Sequence, residues 1–341
     1  MSKDISLEED QTDAKRRRAG GEFVRGISGF RHWIGDPDFP AVKGRYHLFV
    51  ALNCPWCHRV TLARNVLGLQ ESISLDVAFP NRTGDGDPVG PNLWEFAPDR
   101  KASLTGDTLA ECTLETGTGQ GFRLAKEIYQ QEASDEQSVP ILYDKVAGRI
   151  VSNESGEIIR MLNAEADALG STISKNERPD LYPVDAALRA DIDRLNEQIY
   201  VGINNGAYKA GFSSDQATYD KAFATYFGTL ESLETLLGSD GRAFLTGAEF
   251  TEADLRLFPT LYRHDPVYNV RMKLNGARIL DYPHLWRWLC RVYALPSVAE
   301  SGSLLHCRQG YFGRSWNNVV PQGPLRPMTY PEAYLHPELA V

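Results

Sequence analysis

The feature that most constrains the fold is a strand-like run that ends in two closely spaced cysteines. The run YHLFVAL at residues 46–52 is rich in aromatic and β-branched residues and predicts a buried strand. The segment NCPWC at 53–57 follows, and apolar residues then recur at helical spacing as far as Gly68, a typical residue for ending a helix. Residues 73–79 alternate as a second strand. This order predicts a βαβ unit with parallel strands.

A helix, a β-hairpin and another helix are predicted after the βαβ unit. Helical periodicity returns at residues 122–129, two short strands follow at 139–143 and 149–151, and a helix opens at 153–155. Together these elements predict a thioredoxin-like domain over residues 45–166, a mixed sheet with helices on both faces. Residues 80–120 fit no compact element, so we expect a long insertion there.

The second half of the chain carries almost no strand pattern. Amphipathic helices are predicted over 184–203, 219–237 and 283–295, and Thr251 with Asp254 resembles a capping box before a further helix. The predicted fold class is therefore α/β plus all-α. Its parts are an N-terminal extension at 1–44, the thioredoxin-like domain, a linker at 167–182, an all-α substrate domain at 183–319 and a C-terminal tail at 320–341.

Composition excludes several classes of function. The 341 residues suffice for about two domains, and the net charge of −9 gives no general attraction to nucleic acid or anionic membranes. No stretch approaches the roughly 18 apolar residues of a membrane span. The N-terminus lacks the apolar segment of a signal peptide, and its basic run at 15–18 is expected to lie on a solvated arm. Five cysteines in so long a chain indicate a reducing, cytoplasmic location rather than a disulfide framework.

Cys54 is the strongest candidate for a reactive residue. It is predicted at a helix N-terminus, where free N–H groups and the helix dipole favour the thiolate, which is the nucleophilic form. Cys57 lies one turn further on, close enough in such motifs for a disulfide. Two plainer alternatives are half of a zinc site, which needs further paired ligands, and a pair of buried structural cysteines. The strand–turn–helix context favours a reactive thiol and no metal.

Two further dipeptides allow both a structural and a functional interpretation. Val139-Pro140 either opens an edge strand or forms a cis-proline that faces the Cys54 loop, where the Val139 backbone pairs with an extended thiol peptide. Glu154-Ser155 is either an ordinary helix cap or a site that holds the amino and carboxylate groups of a γ-glutamyl group.

In this order behind CPWC, these residues resemble the glutathione site of a cysteine-type glutathione transferase. The resemblance narrows to the xi class, the glutathionyl-hydroquinone reductases, and runs from about residue 20 to residue 316. The motifs that carry it are SNES at 152–155, NNGAYKAGF at 204–212, TEADLRL at 251–257 and HDPVY at 264–268.

The resemblance implies a role for each candidate residue. Cys54 is implied as the nucleophile. The residues implied to hold glutathione, the co-substrate, are Trp94, Val139, Pro140, Glu154 and Ser155. Three tyrosines are implied to line the substrate pocket and assist catalysis: Tyr208, Tyr268 and Tyr311. Tyrosines more often fill cores or interfaces, and only the resemblance singles these out.

The chain departs from the family pattern in two places. Cys57 stands where the family usually has alanine, which leaves a dithiol route open. The basic contact to glutathione that precedes Val-Pro in the family is replaced by the acidic or neutral segment 135–138, and Arg100 or Lys101 are candidate substitutes.

The implied activity is glutathione-dependent reduction of glutathionyl-hydroquinones through a mixed disulfide, by a homodimer joined through the helical domain. The alternatives are a glutaredoxin-like thioltransferase or dehydroascorbate reductase, and a non-enzymatic glutathione-fold binding protein.

Overall fold

The fold comes from a computed structural model and is described for residues 21–23, 26–84, 88–96, 112–113, 118, 121–313 and 319–321. The chain divides into two compact units. The thioredoxin-like unit contains the described residues of 28–181 and 296–310, and the helical unit contains those before 28, those of 182–295 and those from 311 onward. The basic run at 15–18, Arg100, Lys101 and nearly all of the tail lie outside the described residues.

The thioredoxin-like unit is built on a four-stranded mixed sheet. Its strands are β1 (Tyr46–Val50), β2 (Ser74–Val77), β3 (Ile141–Asp144) and β4 (Arg149–Ser152), in the order β2-β1-β3-β4. β1 pairs in parallel with β2, and β3 is antiparallel to both β1 and β4. All five residues of β1 are buried, as expected for a central strand covered on both faces. The predicted βαβ unit and hairpin are confirmed.

Within the described part of this unit, three α-helices accompany the sheet: α1 (Pro55–Val66), α2 (Ala125–Gln130) and α3 (Ser155–Ala164). The predicted role of Gly68 at the end of α1 is confirmed, because its φ of 67° is positive and its N–H bonds the Asn65 carbonyl at 3.0 Å. The Leu69 N–H bonds the Arg64 carbonyl at 2.9 Å, which completes a Schellman motif. α1 therefore has a fixed length, and Cys54 is held at its opposite end.

Residues 296–310, which the sequence assigns to the helical domain at 183–319, belong to the thioredoxin-like unit in the structure. Buried polar groups on α1 explain this placement. His58 Nε2 lies 3.0 Å from Ser301 Oγ, the Thr61 hydroxyl donates to the Ser301 carbonyl at 2.6 Å, and Asn65 donates to the Ser297 carbonyl at 3.0 Å. These bonds join distant parts of the sequence, so local periodicity does not reveal them.

The helical unit contains only helices among its described elements. The α-helices that lie wholly within it are α4 (Ala186–Ile199), α5 (Asn205–Gly211), α6 (Gln216–Ser239), α7 (Glu252–Tyr262), α8 (Asn269–Arg271) and α9 (Pro283–Tyr293). The last helix, α10 (Leu304–Phe312), crosses the division between the units after Gly310. Short 3₁₀ turns occur at Ile279–Asp281 in this unit and at Ala299–Ser301 in the thioredoxin-like unit. Across the described part of the chain, every helix is too short or too polar to traverse a bilayer.

Two π-helical turns interrupt the helical unit, at Tyr200–Asn204 and His264–Tyr268. The first lies where the sequence predicts a continuation of one helix to residue 203. In the second, Pro266 has no N–H to donate, and the Tyr268 N–H reaches back five residues to the Arg263 carbonyl at 3.1 Å. The first turn ends shortly before Tyr208, and the second includes Tyr268, so each is close in sequence to a predicted pocket tyrosine.

The predicted capping box at the start of α7 is confirmed. The fully buried Asp254 carboxylate accepts hydrogen bonds from Thr251 N at 3.0 Å, Leu245 N at 2.9 Å and Trp288 Nε1 at 2.8 Å. Burial raises the pKa of Asp254 to about 6, although these donors oppose the shift. The carboxylate thus fixes the start of the helix that leads into the second π turn.

Candidate active site

The topology of the sheet brings three predicted site segments to the same end of the sheet. β1 and β4 run in the same direction because each is antiparallel to β3. The carboxyl ends of β1 and β4 therefore lie at the same end of the sheet as the start of β3. β1 leads to Cys54, β4 leads to Glu154, and β3 follows Val139-Pro140. We call Cys54, Val139, Pro140, Glu154 and Ser155 the thiol corner.

Cys54 is the N-cap residue of α1, and its side chain is half-buried. Pro55 occupies the first turn of the helix, where its fixed φ suits helix initiation. The Cys54 Sγ lies 3.8 Å from the Val139 carbonyl oxygen. The thiol thus lies at the N-terminus of a twelve-residue helix, where the positive end of the helix dipole favours the thiolate.

Cys57 differs from Cys54 in exposure. It lies within α1 and is completely buried, and its carbonyl accepts a hydrogen bond from the Thr61 hydroxyl at 3.2 Å. No disulfide joins any of the five cysteines, all of which lie among the described residues. Among the described residues, no group of three or more His, Cys, Asp or Glu side chains is arranged to hold a metal ion.

The Val139–Pro140 peptide bond is cis, as the functional interpretation of this dipeptide expects. Val139 is buried and its carbonyl faces the Cys54 sulfur. The backbone of Val139 thus lies directly before β3, beside the Cys54 thiol, where an extended peptide can pair with it.

Glu154 and Ser155 form a cap with one buried hydroxyl left over. Glu154 is the N-cap of α3, with one carboxylate oxygen accepting from Gly156 N at 3.0 Å and the other from the Ser28 hydroxyl at 3.1 Å. Ser155 is fully buried, and its Oγ has no hydrogen-bond partner among the described residues. A buried polar atom without a partner points to a ligand group that completes its hydrogen bonding.

The N-terminal extension also contributes to the end of the sheet where the thiol corner lies. Arg31 forms an antiparallel bridge with Ser152, and the Asn153 N–H donates to the Phe30 carbonyl at 3.1 Å. The extension therefore covers the exposed edge of β4 and brings Ser28 to Glu154.

Trp94 lies in the predicted insertion and is mostly buried. The guanidinium of Arg82 stacks on its indole ring, with Cζ 4.3 Å from the ring centroid. The insertion begins beside the thiol corner, because the side chain of Asn53 donates to the Pro80 carbonyl at 3.3 Å. Sequence reasoning missed Arg82, since a single arginine in a polar loop carries no recognisable signal.

The three predicted tyrosines lie together in the helical unit, and we call them the tyrosine cluster. The Tyr311 hydroxyl is 2.8 Å from that of Tyr208 and 3.0 Å from that of Tyr268. Burial, followed by the two neighbouring hydroxyls, raises the pKa of Tyr311 well above its usual value. Tyr311 therefore keeps its proton at neutral pH, which suits it to donate a hydrogen bond.

Comparisons with known proteins agree with this arrangement. The models of the N-terminal and C-terminal domains of glutathione S-transferase match residues 53–165 and 216–291. The crystal structure of the glutathione S-transferase Xi from Phanerochaete chrysosporium superposes with a TM-score of 0.77 at 33% identity, covering 91% of this chain and all of that one. The chain belongs to the xi class of glutathione transferases.

Relatives within this class carry a named activity. The glutathionyl-hydroquinone reductase YqjG of Escherichia coli is 41% identical to this xi-class chain over 316 residues, covering 90% of this chain and 89% of its own. The glutathionyl-hydroquinone reductase PcpF of Sphingobium chlorophenolicum is 37% identical, covering 92% and 93%. The glutathione-bound structure of YqjG superposes with a TM-score of 0.72 over 86% of this chain and 92% of that one.

Proposed function

We propose that this xi-class transferase reduces glutathionyl-hydroquinones to hydroquinones, with glutathione as the co-substrate and no metal. The observation that carries the proposal is a half-buried cysteine at a helix N-terminus, 3.8 Å from the backbone carbonyl of Val139. The similarity of the whole chain to two glutathionyl-hydroquinone reductases supports the choice of substrate.

In this proposal, glutathione lies in the thiol corner, at one end of the sheet. The Val139 backbone, next to Pro140, pairs with its cysteinyl residue, and Glu154 and Ser155 hold its γ-glutamyl end. The Ser155 hydroxyl has no hydrogen-bond partner among the described residues and lies at the positive end of the α3 dipole, so it suits a carboxylate, whereas the Glu154 carboxylate suits an ammonium group. Trp94 provides an apolar wall.

The reaction proceeds by two exchanges at Cys54. The Cys54 thiolate attacks the sulfur of the substrate thioether, an S–S bond forms, and the carbon–sulfur bond breaks. The electron pair of the broken bond stays on the ring carbon, which takes up a proton, so the hydroquinone leaves reduced while Cys54 is oxidised to a mixed disulfide with glutathione. Thiol–disulfide exchange with a second glutathione then restores Cys54 and releases oxidised glutathione.

The tyrosine cluster acts on the ring in this scheme. Its hydroxyls donate a hydrogen bond or a proton to the ring oxygen or to the developing carbanion. Because Tyr311 lies within hydrogen-bond distance of both other hydroxyls, a proton given up at one tyrosine can be replaced from another.

Cellular location and assembly are part of the proposal. We infer a cytoplasmic enzyme, since five cysteines without a disulfide suit a reducing compartment. We infer a homodimer joined through the helical domain, as the resemblance implies. Light scattering on the purified chain, which should give twice the monomer mass, tests the assembly.

The assay that tests the activity measures turnover of a glutathionyl-hydroquinone in the presence of glutathione, beside conjugation of chloro-dinitrobenzene. We expect release of hydroquinone together with oxidised glutathione, and little conjugation. Reduction of mixed disulfides or dehydroascorbate without turnover of the quinol would favour the thioltransferase alternative. Absence of any thiol chemistry at Cys54 would favour a binding protein.

A further inference from the structure

A buried hydrogen-bond network connects the two loops of the thiol corner. At its centre is Tyr129 on α2, whose side chain is fully buried. The Tyr129 hydroxyl donates to the Ser138 carbonyl at 3.0 Å and accepts from Asn153 Nδ2 at 3.1 Å. Ser138 directly precedes Val139, and Asn153 directly precedes Glu154. One hydroxyl thus bridges the two segments that flank the candidate glutathione site.

The Asn153 side chain is fixed on every side. Its Nδ2 group donates both to Tyr129 and to Glu136 Oε2, at 2.5 Å, while its Oδ1 accepts from the Phe30 N–H at 3.2 Å. The other Glu136 oxygen accepts from the Gly29 N–H at 3.1 Å. Because both donor hydrogens and the acceptor are used, the amide has one orientation, and the loop that carries it has one position.

We propose that Tyr129, with Asn153 and Glu136, is a positioning residue that sets the spacing between Val139 and Glu154-Ser155. This inference rests on the proposed function, in which those two segments hold the cysteinyl and γ-glutamyl parts of one glutathione molecule. A ligand that contacts both segments binds tightly only when their separation is fixed in advance.

The chemistry of Tyr129 suits a fixed spacer rather than a proton donor. Burial is the main cause that raises the pKa of Tyr129 far above its usual value, so the hydroxyl stays protonated throughout the working pH range. Its proton is already committed to the Ser138 carbonyl. The hydroxyl therefore holds two loops and takes no part in the reaction itself.

The test compares Tyr129→Phe with the matched control Tyr143→Phe. Tyr143 is also a buried tyrosine of this unit, but its hydroxyl makes only one long contact, 3.4 Å to Gln131 Oε1. Calorimetric titration should show glutathione binding about tenfold weaker in Tyr129→Phe and unchanged in Tyr143→Phe. The KM for glutathione should rise in parallel while kcat stays near the wild-type value.

A second ligand separates positioning from damage to the fold. Cysteinylglycine lacks the γ-glutamyl arm and engages only the Val139 side, so Tyr129→Phe should bind it as the wild type does. Equal weakening for both ligands would overturn the inference. If Tyr129→Phe folds poorly, Glu136→Gln replaces it. A glutamine at this half-buried position has one acceptor oxygen and cannot serve both Asn153 Nδ2 and the Gly29 N–H, so it should weaken the same network, with a smaller effect in the same direction.

The outcomes distinguish the two proposals. Wild-type protein that fails to bind glutathione would contradict the proposed function. Wild-type protein that binds glutathione, together with a Tyr129→Phe variant that binds it equally well, would contradict only the positioning role.

Discussion

The thiol corner and the tyrosine cluster bring reactive groups together by different physical means. In the thiol corner, backbone elements position the groups. The N-termini of α1 and α3 and the carbonyl of Val139 all lie at one end of the sheet. In the tyrosine cluster, three side chains from α5, a π turn and α10 meet through their hydroxyls. Residues 208 and 311 are far apart in sequence, and no shared backbone element fixes their distance.

This difference has a consequence for function. Attack by a thiolate on sulfur requires a stabilised anion, which a helix N-terminus supplies to any thiol placed there. Protonation of a quinol ring carbon requires hydroxyls at particular points, which only side chains supply. In the proposed function, the first region therefore supplies the thiolate and the second supplies the hydroxyls that act on the ring.

The largest effect is expected for Cys54→Ser, which should abolish reductase activity. A serine hydroxyl at that helix terminus is not appreciably ionised at neutral pH, so the nucleophile is lost. Steady-state turnover of a glutathionyl-hydroquinone measures this. Retention of more than a few per cent of the rate would show that another group is the nucleophile.

A partial and selective effect is expected for Tyr208→Phe, Tyr268→Phe and Tyr311→Phe. Each should slow the quinol reaction but spare glutathionylation of Cys54 by oxidised glutathione, because only the first reaction needs a hydrogen bond or proton at the ring. Both rates are measured on the same preparations. Equal losses in the two assays would make these tyrosines structural and remove the distinction between the two regions.

A change in stability confined to the helical unit is expected from Asp254. Its pKa of about 6 lies above the value for an exposed carboxyl, so the stability that Asp254 contributes is fully present below about pH 4 and falls as pH rises through 6. Relative to Asp254→Asn, the wild type should lose up to about 3 kcal/mol of unfolding free energy over that range. Denaturant unfolding at several pH values measures this, and a pH-independent difference would contradict it.

The smallest effect is expected for Cys57→Ala, which should keep most of the reductase activity. Cys57 is fully buried inside α1 and is therefore less accessible than Cys54, so glutathione at cellular levels should resolve the mixed disulfide first. A Cys54–Cys57 disulfide should appear mainly when glutathione is scarce. Collapse of turnover, with the Cys54–glutathione adduct accumulating, would make the enzyme a dithiol reductase.

The two regions also differ in how far the sequence predicts them, because one is built from backbone elements and the other from side chains that are distant in the chain. The hairpin of β3 and β4, the end of α1 at Gly68 and the capping box at Thr251 depend on residues close together in the chain, so local patterns reveal them. The pairing of β1 with β3 joins residues far apart in the chain, and local patterns do not reveal it. The position of Cys54 at a helix N-terminus follows from the predicted βαβ unit. The residues alone leave open whether the Val139–Pro140 bond is cis and whether Glu154-Ser155 is more than a helix cap, so the roles of these members of the thiol corner depend on resemblance to the family.

The tyrosine cluster is not predictable in this way. Only resemblance to the xi class singles out its members, because tyrosines in a helical domain usually belong to the core. The π turns, the placement of residues 296–310 and the Tyr129 network also depend on contacts between distant residues. Pro266 is visible in the sequence, but it does not reveal that the chain accommodates it with a π turn rather than a break.

The most direct test of the central claim is a single turnover without free glutathione, followed by intact-protein mass spectrometry. Wild-type enzyme mixed with an excess of a glutathionyl-hydroquinone should release one hydroquinone per thiol site and gain one glutathionyl group, which peptide mapping should locate at Cys54. Addition of glutathione should then remove that group as oxidised glutathione. Hydroquinone release without a protein-bound glutathionyl group, or an adduct on a cysteine other than Cys54, would contradict the mechanism.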